Sequence, residues 1–102
     1  MITRVVNVRN EDWDVYIGQR NAAIGEEGSF LANPFVIGKD GNREEVIAKY
    51  KSMFLERVKS EVFAERVRAL KGKRLGCWCA PAGCHGDIIV EWLETTTTAP
   101  PQ

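Results

Sequence analysis

The sequence has no excess of charge of either sign: 14 basic residues balance 14 acidic ones. Non-specific nucleic-acid binding needs a basic face, so this balance counts against it and leaves room only for a local patch. No apolar run approaches the roughly 20 residues that cross a bilayer, so no membrane partner is expected. The start, Met1-Ile2-Thr3-Arg4-Val5, lacks the layout of a signal peptide. There is no internal repeat. Histidine occurs once and cysteine three times, an odd count that suits no disulfide scaffold. A cytoplasmic protein with reduced thiols is the expectation. What remains, 102 residues with 44% hydrophobic and 27% charged content, is ordinary for one soluble domain with a single modest core.

The scarce residues are concentrated. All three cysteines and the single histidine fall in Cys77-Trp78-Cys79-Ala80-Pro81-Ala82-Gly83-Cys84-His85, which Gly86-Asp87 follows. Lys73-Arg74-Leu75-Gly76 leads into this stretch as a buried strand, and Ile88-Ile89-Val90-Glu91-Trp92-Leu93 leaves it as an amphipathic helix. Strand, reactive turn and helix start are the usual geometry of an α/β binding site, where backbone N–H groups attract anions.

Upstream, β-branched residues 3–8 predict a first strand and residues 14–17 a short second one ending at Gly18. The turn after it, Gly18-Gln19-Arg20-Asn21, offers donors, with Arg20 as a charge clamp. Residues 21–40 are glycine-punctuated and aperiodic. Loops this long in a compact domain are often functional, and Phe30, Leu31 and Phe35 should be buried as this one folds back over the sheet. Asn33, held extended by Pro34, serves either to fasten the loop or to read a ligand edge. Asn42 with Glu45 forms a capping-box pattern opening the clearest helix, whose apolar face is Val46, Ile47, Tyr50, Phe54 and Val58. Ser60 caps a second helix carrying Val62, Phe63, Val67 and Leu70, stopped by Gly72. Residues 1–94 read as one domain and 95–102, low in complexity, as a disordered tail.

Three chemistries suit residues 77–87. In a regular strand Cys77 and Cys79 share a face with Cβ atoms roughly 6.5–7 Å apart, too far for a disulfide, which needs about 3.8 Å. Cys77, Cys79, Cys84 and His85 are a four-donor zinc set, yet C-x-C-x4-C-H departs from the two-to-four-residue spacing that lets a knuckle wrap the ion. Cys77 reads more simply as a buried thiol of the core. Cys79 or Cys84 beside His85 makes a nucleophile and base, eased by the helix start, with Asp87 either orienting the imidazole or capping the helix. Without covalent chemistry, the amides of Gly86, Asp87 and Ile88 bind phosphate, His85 and Arg20 supply positive charge, and Trp78 or Tyr16 stacks on a base.

Val15-Tyr16-Ile17-Gly18, Asn33-Pro34-Phe35, residues 71–81 and Cys84-His85-Gly86-Asp87 carry a resemblance covering nearly the whole chain before the tail. In these motifs the chain resembles the DUF4326 family, small domains of bacteria and their phages. The resemblance implies a bacterial or phage setting, hence a host cytosol, and little about chemistry. Similar members carry an arginine straight after the Ile-Gly pair; here Gln19 stands there and Arg20 follows. The expectation is therefore an α/β domain in the order β-β-loop-α-α-β-α, a small sheet with helices packed on it. The expected function is binding, with or without processing, of a small anionic, nucleotide-like ligand at Gly18, Arg20, Asn33, Trp78, Cys79, Cys84, His85, Gly86 and Asp87. The alternatives are a zinc-stabilised adaptor for a host protein or nucleic acid, and a thiol-dependent enzyme.

Overall fold

A computed structural model describes residues 2–80 and 82–96. Its elements are β1 (Arg4–Asn7), β2 (Val15–Tyr16), a 3-10 turn (Ala22–Ile24), α1 (Arg43–Arg57), α2 (Glu61–Arg68), β3 (Arg74–Cys77) and α3 (His85–Thr96). This is an α/β fold, and the element order is the one expected from the sequence. Residues 97–102 of the anticipated tail lie outside the described residues, whereas Thr95 and Thr96 close α3.

The sheet runs β1-β3-β2 and is parallel throughout. Last in sequence, β3 lies between the other two, with Asn7 opposite Cys77 on one side and Tyr16 opposite Gly76 on the other. Parallel strands are normally buried by helices, and here Leu75, Gly76 and Cys77 are all buried. Gly76 allows a close approach: a Cβ there would stand 2.7 Å from Trp13 Cγ and 2.9 Å from Val8 Cγ1.

Local chemistry sets the helix starts. Asn42 Oδ1 accepts from the Glu45 N–H at 2.9 Å while Glu45 Oε1 accepts from the Asn42 N–H at 2.8 Å, a complete capping box. Ser60 caps α2. That helix ends at Arg68, earlier than expected; two tight turns follow, and Gly72 takes a left-handed φ of 81° only after them. Val62 is 75% exposed, so it does not belong to the apolar face expected of it; Ala64, Val67 and Leu70 fill that role. In α1, Val46, Tyr50 and Phe54 are buried, and in α3 Ile89 and Leu93 are wholly so. Burying each such aliphatic side chain contributes about 1.5–3 kcal/mol. Of Phe30, Leu31 and Phe35, Leu31 alone is fully buried, and its carbonyl accepts from Tyr50 Oη at 2.8 Å. Phe30 and Phe35 are half-buried; the Arg66 guanidinium lies 3.8 Å from the Phe30 ring centre.

Among the described residues no helix is long and apolar enough to cross a membrane.

Candidate functional site

In an open parallel sheet, ligands bind in the crevice beyond the carboxyl ends of the strands. A cavity of about 490 Å³ lies there. Its wall comes from the end of β2 and the turn beyond it (Tyr16, Gly18, Arg20), from the end of β3 (Cys77, Trp78, Cys79) and from the start of α3 (Cys84, His85). The long loop adds Asn33, Phe35, Val36 and Ile37, and the first turns of α1 add Arg43, Val46 and Ile47. Of the residues expected at a site, Gly18, Arg20, Asn33, Trp78, Cys79, Cys84 and His85 therefore border one cavity. Gly86 and Asp87 do not.

The reason lies in how α3 begins. Its first turn is capped by a sulfur: Cys84 Sγ accepts from the Gly86 N–H at 3.2 Å. The Asp87 carboxylate accepts from the Cys84 N–H at 3.0 Å, and the Asp87 N–H donates to the Cys84 carbonyl at 3.0 Å. The Gly86 and Asp87 amides expected to meet an anion are thus engaged within the protein. Gly86 is instead pressed into the core, where a Cβ would come within 2.8 Å of both Ile17 Cδ1 and Val5 Cγ2.

His85 is 9% exposed, and its Nε2 lies 2.8 Å from the Ile17 carbonyl. A carbonyl only accepts, so Nε2 carries the proton. Burial depresses the imidazole pKa below its ordinary value, which keeps the ring neutral at neutral pH. Nδ1 is then a lone-pair acceptor. Among the described residues no buried side-chain nitrogen or oxygen lacks a partner, so Nδ1, which makes no hydrogen bond to the protein, meets the cavity. The Tyr50 ring holds the imidazole edge-on at 5.0 Å.

A chain of hydrogen bonds ties the walls together. Trp78 Nε1 donates to Tyr16 Oη at 3.1 Å, Tyr16 Oη donates to the Gln19 carbonyl at 2.7 Å, and Gln19 Nε2 donates to the Asn33 carbonyl at 3.0 Å. The Asn33 side chain fastens its own loop by accepting from the Phe35 N–H at 2.9 Å. Arg20, 70% exposed at its side chain, makes only a loose pair with Glu27 at 3.5 Å.

Two contributors escaped the sequence. Arg43 reaches across to the Gly83 carbonyl at 2.8 Å from the first position of α1. A cation opposes the helix dipole there, and that misfit was a readable signal. Asn7, buried in β1, donates to the carbonyls of Trp78 at 3.1 Å and Ala80 at 2.9 Å. Only its place opposite Cys77 gives it this task, and no local pattern announces that.

The sulfurs are distributed differently from expectation. β3 ends at Cys77, so Cys79 lies beyond the strand and the two-residue alternation stops before it. Cys77 Sγ and Cys84 Sγ face each other at 3.3 Å, both as thiols. The Cys84 S–H, and behind it the Cys79 and Ala80 amides, lower the pKa of Cys77. The same contact, with burial, raises that of Cys84. Among the described residues no group of three or more His, Cys, Asp or Glu is arranged to hold a metal ion. Cys77, Cys79, Cys84 and His85, the four donors of the zinc alternative, are thus not assembled as such a group among the described residues.

No solved structure matches the chain. It is 42% identical to an uncharacterised 12.4 kDa protein from the nrdA-td intergenic region of Enterobacteria phage T4, over 86% of this chain and 74% of the phage protein. A family model matches residues 2–95, and the chain belongs to that family, DUF4326, a domain of unknown function.

Proposed function

We propose that the cavity at the carboxyl ends of the strands binds a small anionic ligand with a flat ring, as a nucleotide or nucleotide derivative has. The observation that carries this is the charge of the lining. Arg20 and Arg43 border the cavity, and among the described residues no aspartate or glutamate does, in a chain whose charges otherwise balance. A one-signed cleft focuses its potential on an incoming anion. Tyr16, Phe35 and Trp78 offer aromatic faces, and stacking on such faces contributes about 1–3 kcal/mol per base. Asn21 and Asn33 supply polar edges, and the volume falls within the roughly 300–1,000 Å³ usual for small-ligand sites. Anion binding then falls to the guanidinium groups rather than to the amides of α3.

Thermal melts against a panel of nucleoside mono-, di- and triphosphates, with inorganic phosphate alone as the control, test the proposal. A ligand at a hundredfold excess over its Kd stabilises by about 2.7 kcal/mol, which raises the Tm of a domain this size by about 10 °C or more. Combining Arg20→Ala with Arg43→Ala should abolish the shift and change the unliganded Tm by only a few degrees, since both side chains lie at the surface. A panel in which no nucleotide moves the Tm, or in which the double variant responds like the parent, sinks the proposal.

A further inference from the structure

We infer that Cys77 and Cys84 are a redox-active dithiol that exchanges with low-molecular-weight disulfides entering the cavity, closing a reversible Cys77–Cys84 disulfide at its floor. Nothing in this requires the nucleotide-like ligand proposed above. The two sulfurs, seven positions apart in sequence, lie 3.3 Å from each other, and each borders the cavity. A disulfide bond is about 2.05 Å long, so closure asks each sulfur to move by well under an ångström. The intervening chain can yield, because its described residues form bends and turns rather than helix or strand.

Two buried thiols can also be mere packing, since a free cysteine behaves as a small hydrophobe. The surroundings of Cys77 are not those of packing. Its sulfur meets Cys84 Sγ at 3.3 Å, and Cys84 Sγ in turn accepts from the Gly86 N–H at 3.2 Å. A thiol that donates to a neighbouring sulfur stabilises that sulfur as a thiolate, the nucleophilic form. These contacts hold the Cys77 pKa below the ordinary thiol range, while Cys84, donor to Cys77 and buried, keeps its proton. The pair is thus divided into an attacking and a resolving sulfur.

The chemistry balances with a small disulfide R–S–S–R as the oxidant. The Cys77 thiolate attacks one sulfur of R–S–S–R; a Cys77–S–S–R bond forms, the R–S–S–R bond breaks, and RS⁻ leaves with the electron pair. The Cys84 thiol gives its proton to that departing thiolate and its sulfur attacks Cys77 Sγ. The protein disulfide forms and the second RS⁻ leaves, taking up the proton that Cys77 had released on ionising. Two protein thiols are oxidised and one small disulfide is reduced to two RSH. Cys77 and Cys84 are only 2% and 3% exposed, so an oxidant has to come through the cavity they border, which a protein partner could not do.

The test is equilibration of the full chain in mixtures of glutathione and glutathione disulfide, followed by acid quench, alkylation and intact mass. Two of the three alkylatable thiols should be lost, and the chain should be lighter by two hydrogen atoms. No lysine or arginine follows Arg74, but chymotryptic cleavage after Trp78 separates Cys77 from Cys84, and the two fragments should stay joined until reduced. Cys79→Ser should bridge as the parent does, whereas Cys77→Ser and Cys84→Ser should not. Three alkylatable thiols after equilibration, glutathione adducts without a bridge, or a bridge that Cys79→Ser removes would each overturn the inference. The parent and Cys79→Ser decide it even if a substitution at Cys77 or Cys84 prevents folding.

Discussion

Replacing Asn7 by aspartate changes one NH₂ group to an oxygen, and its consequences follow from the structure. Asn7 is 7% exposed, donates from Nδ2 to the Trp78 and Ala80 carbonyls, and accepts the Arg9 N–H at Oδ1 at 2.9 Å. The Trp78 carbonyl and the Cys79 N–H belong to one planar peptide and point opposite ways. By gripping that carbonyl, Asn7 fixes the direction of the Cys79 N–H as well. An aspartate would lose two hydrogen bonds, worth about 1 kcal/mol each. It would also set a partly buried carboxylate against two carbonyl oxygens, which costs more. Arg9, exposed and 3.5 Å from Oδ1, offsets little of this. The sum is about 2–4 kcal/mol at neutral pH, or a Tm lower by about 10–20 °C. Burial and the facing carbonyls raise the pKa of the new carboxyl above its unfolded value. The folded state then binds the proton more tightly, so the deficit is full above the raised pKa and shrinks as pH falls towards the unfolded value near 4. Urea midpoints of parent and Asn7→Asp at several pH values measure this. A variant within 1 kcal/mol of the parent at neutral pH, or a deficit that persists unchanged in acid, would refute the role given to Asn7.

Two further outcomes follow from the start of α3. Gly86→Ala places a methyl group 2.8 Å from Ile17 Cδ1 and Val5 Cγ2, overpacking that should cost about 1–3 kcal/mol; urea unfolding measures it, and a loss below about 0.5 kcal/mol would show that α3 can lift off the sheet. Burial depresses the His85 pKa, so the unfolded chain binds the proton first: stability should be level above the unfolded value near 6.5 and fall as pH drops below it. His85→Gln, whose amide can still donate to the Ile17 carbonyl, should lack that acid limb; a limb of equal size in both proteins would exclude His85 as its source.

What the sequence discloses is what short-range hydrogen bonding dictates. The Asn42–Glu45 capping box and the Ser60 cap are i to i+3 devices, and both are written in the residues themselves. Val46, Tyr50 and Phe54 follow from a period that any amphipathic helix obeys. The sheet is another matter. Strands of four and two residues carry too little pattern to say that β3, last of the three in sequence, lies between β1 and β2, and pairing across some 70 residues leaves no local trace. For the same reason Asn7 reads as one more strand residue. The α3 start was legible as a start, but not the cap that closes it. A cysteine sulfur and a carboxylate three residues on consume the amides that an uncapped helix would offer to an anion. Val62 fails for a related reason: α2 is only eight residues long, and its ends can turn an apolar side chain to solvent.

The walls and the charges of the cavity differ in how firmly they are held, and the difference bears on how a ligand would be read. Tyr16, Trp78, Gln19 and Asn33 are linked in one run of hydrogen bonds that joins the ends of two strands to the long loop. Gly18 admits this arrangement, since a Cβ there would lie 2.5 Å from Tyr16 Oη. Shape is therefore settled before a ligand arrives, and little ordering entropy is spent on it. Arg20 stands largely in solvent, and the Arg43 guanidinium is held only by one exposed carbonyl. Long cationic side chains on a fixed frame can follow an anionic group through several positions, while the hydrogen-bonded walls cannot. Selectivity among nucleotides should then reside in the base and tolerance in the number of phosphates, so substitutions at Trp78 should change which bases bind and those at Arg43 how tightly all of them do.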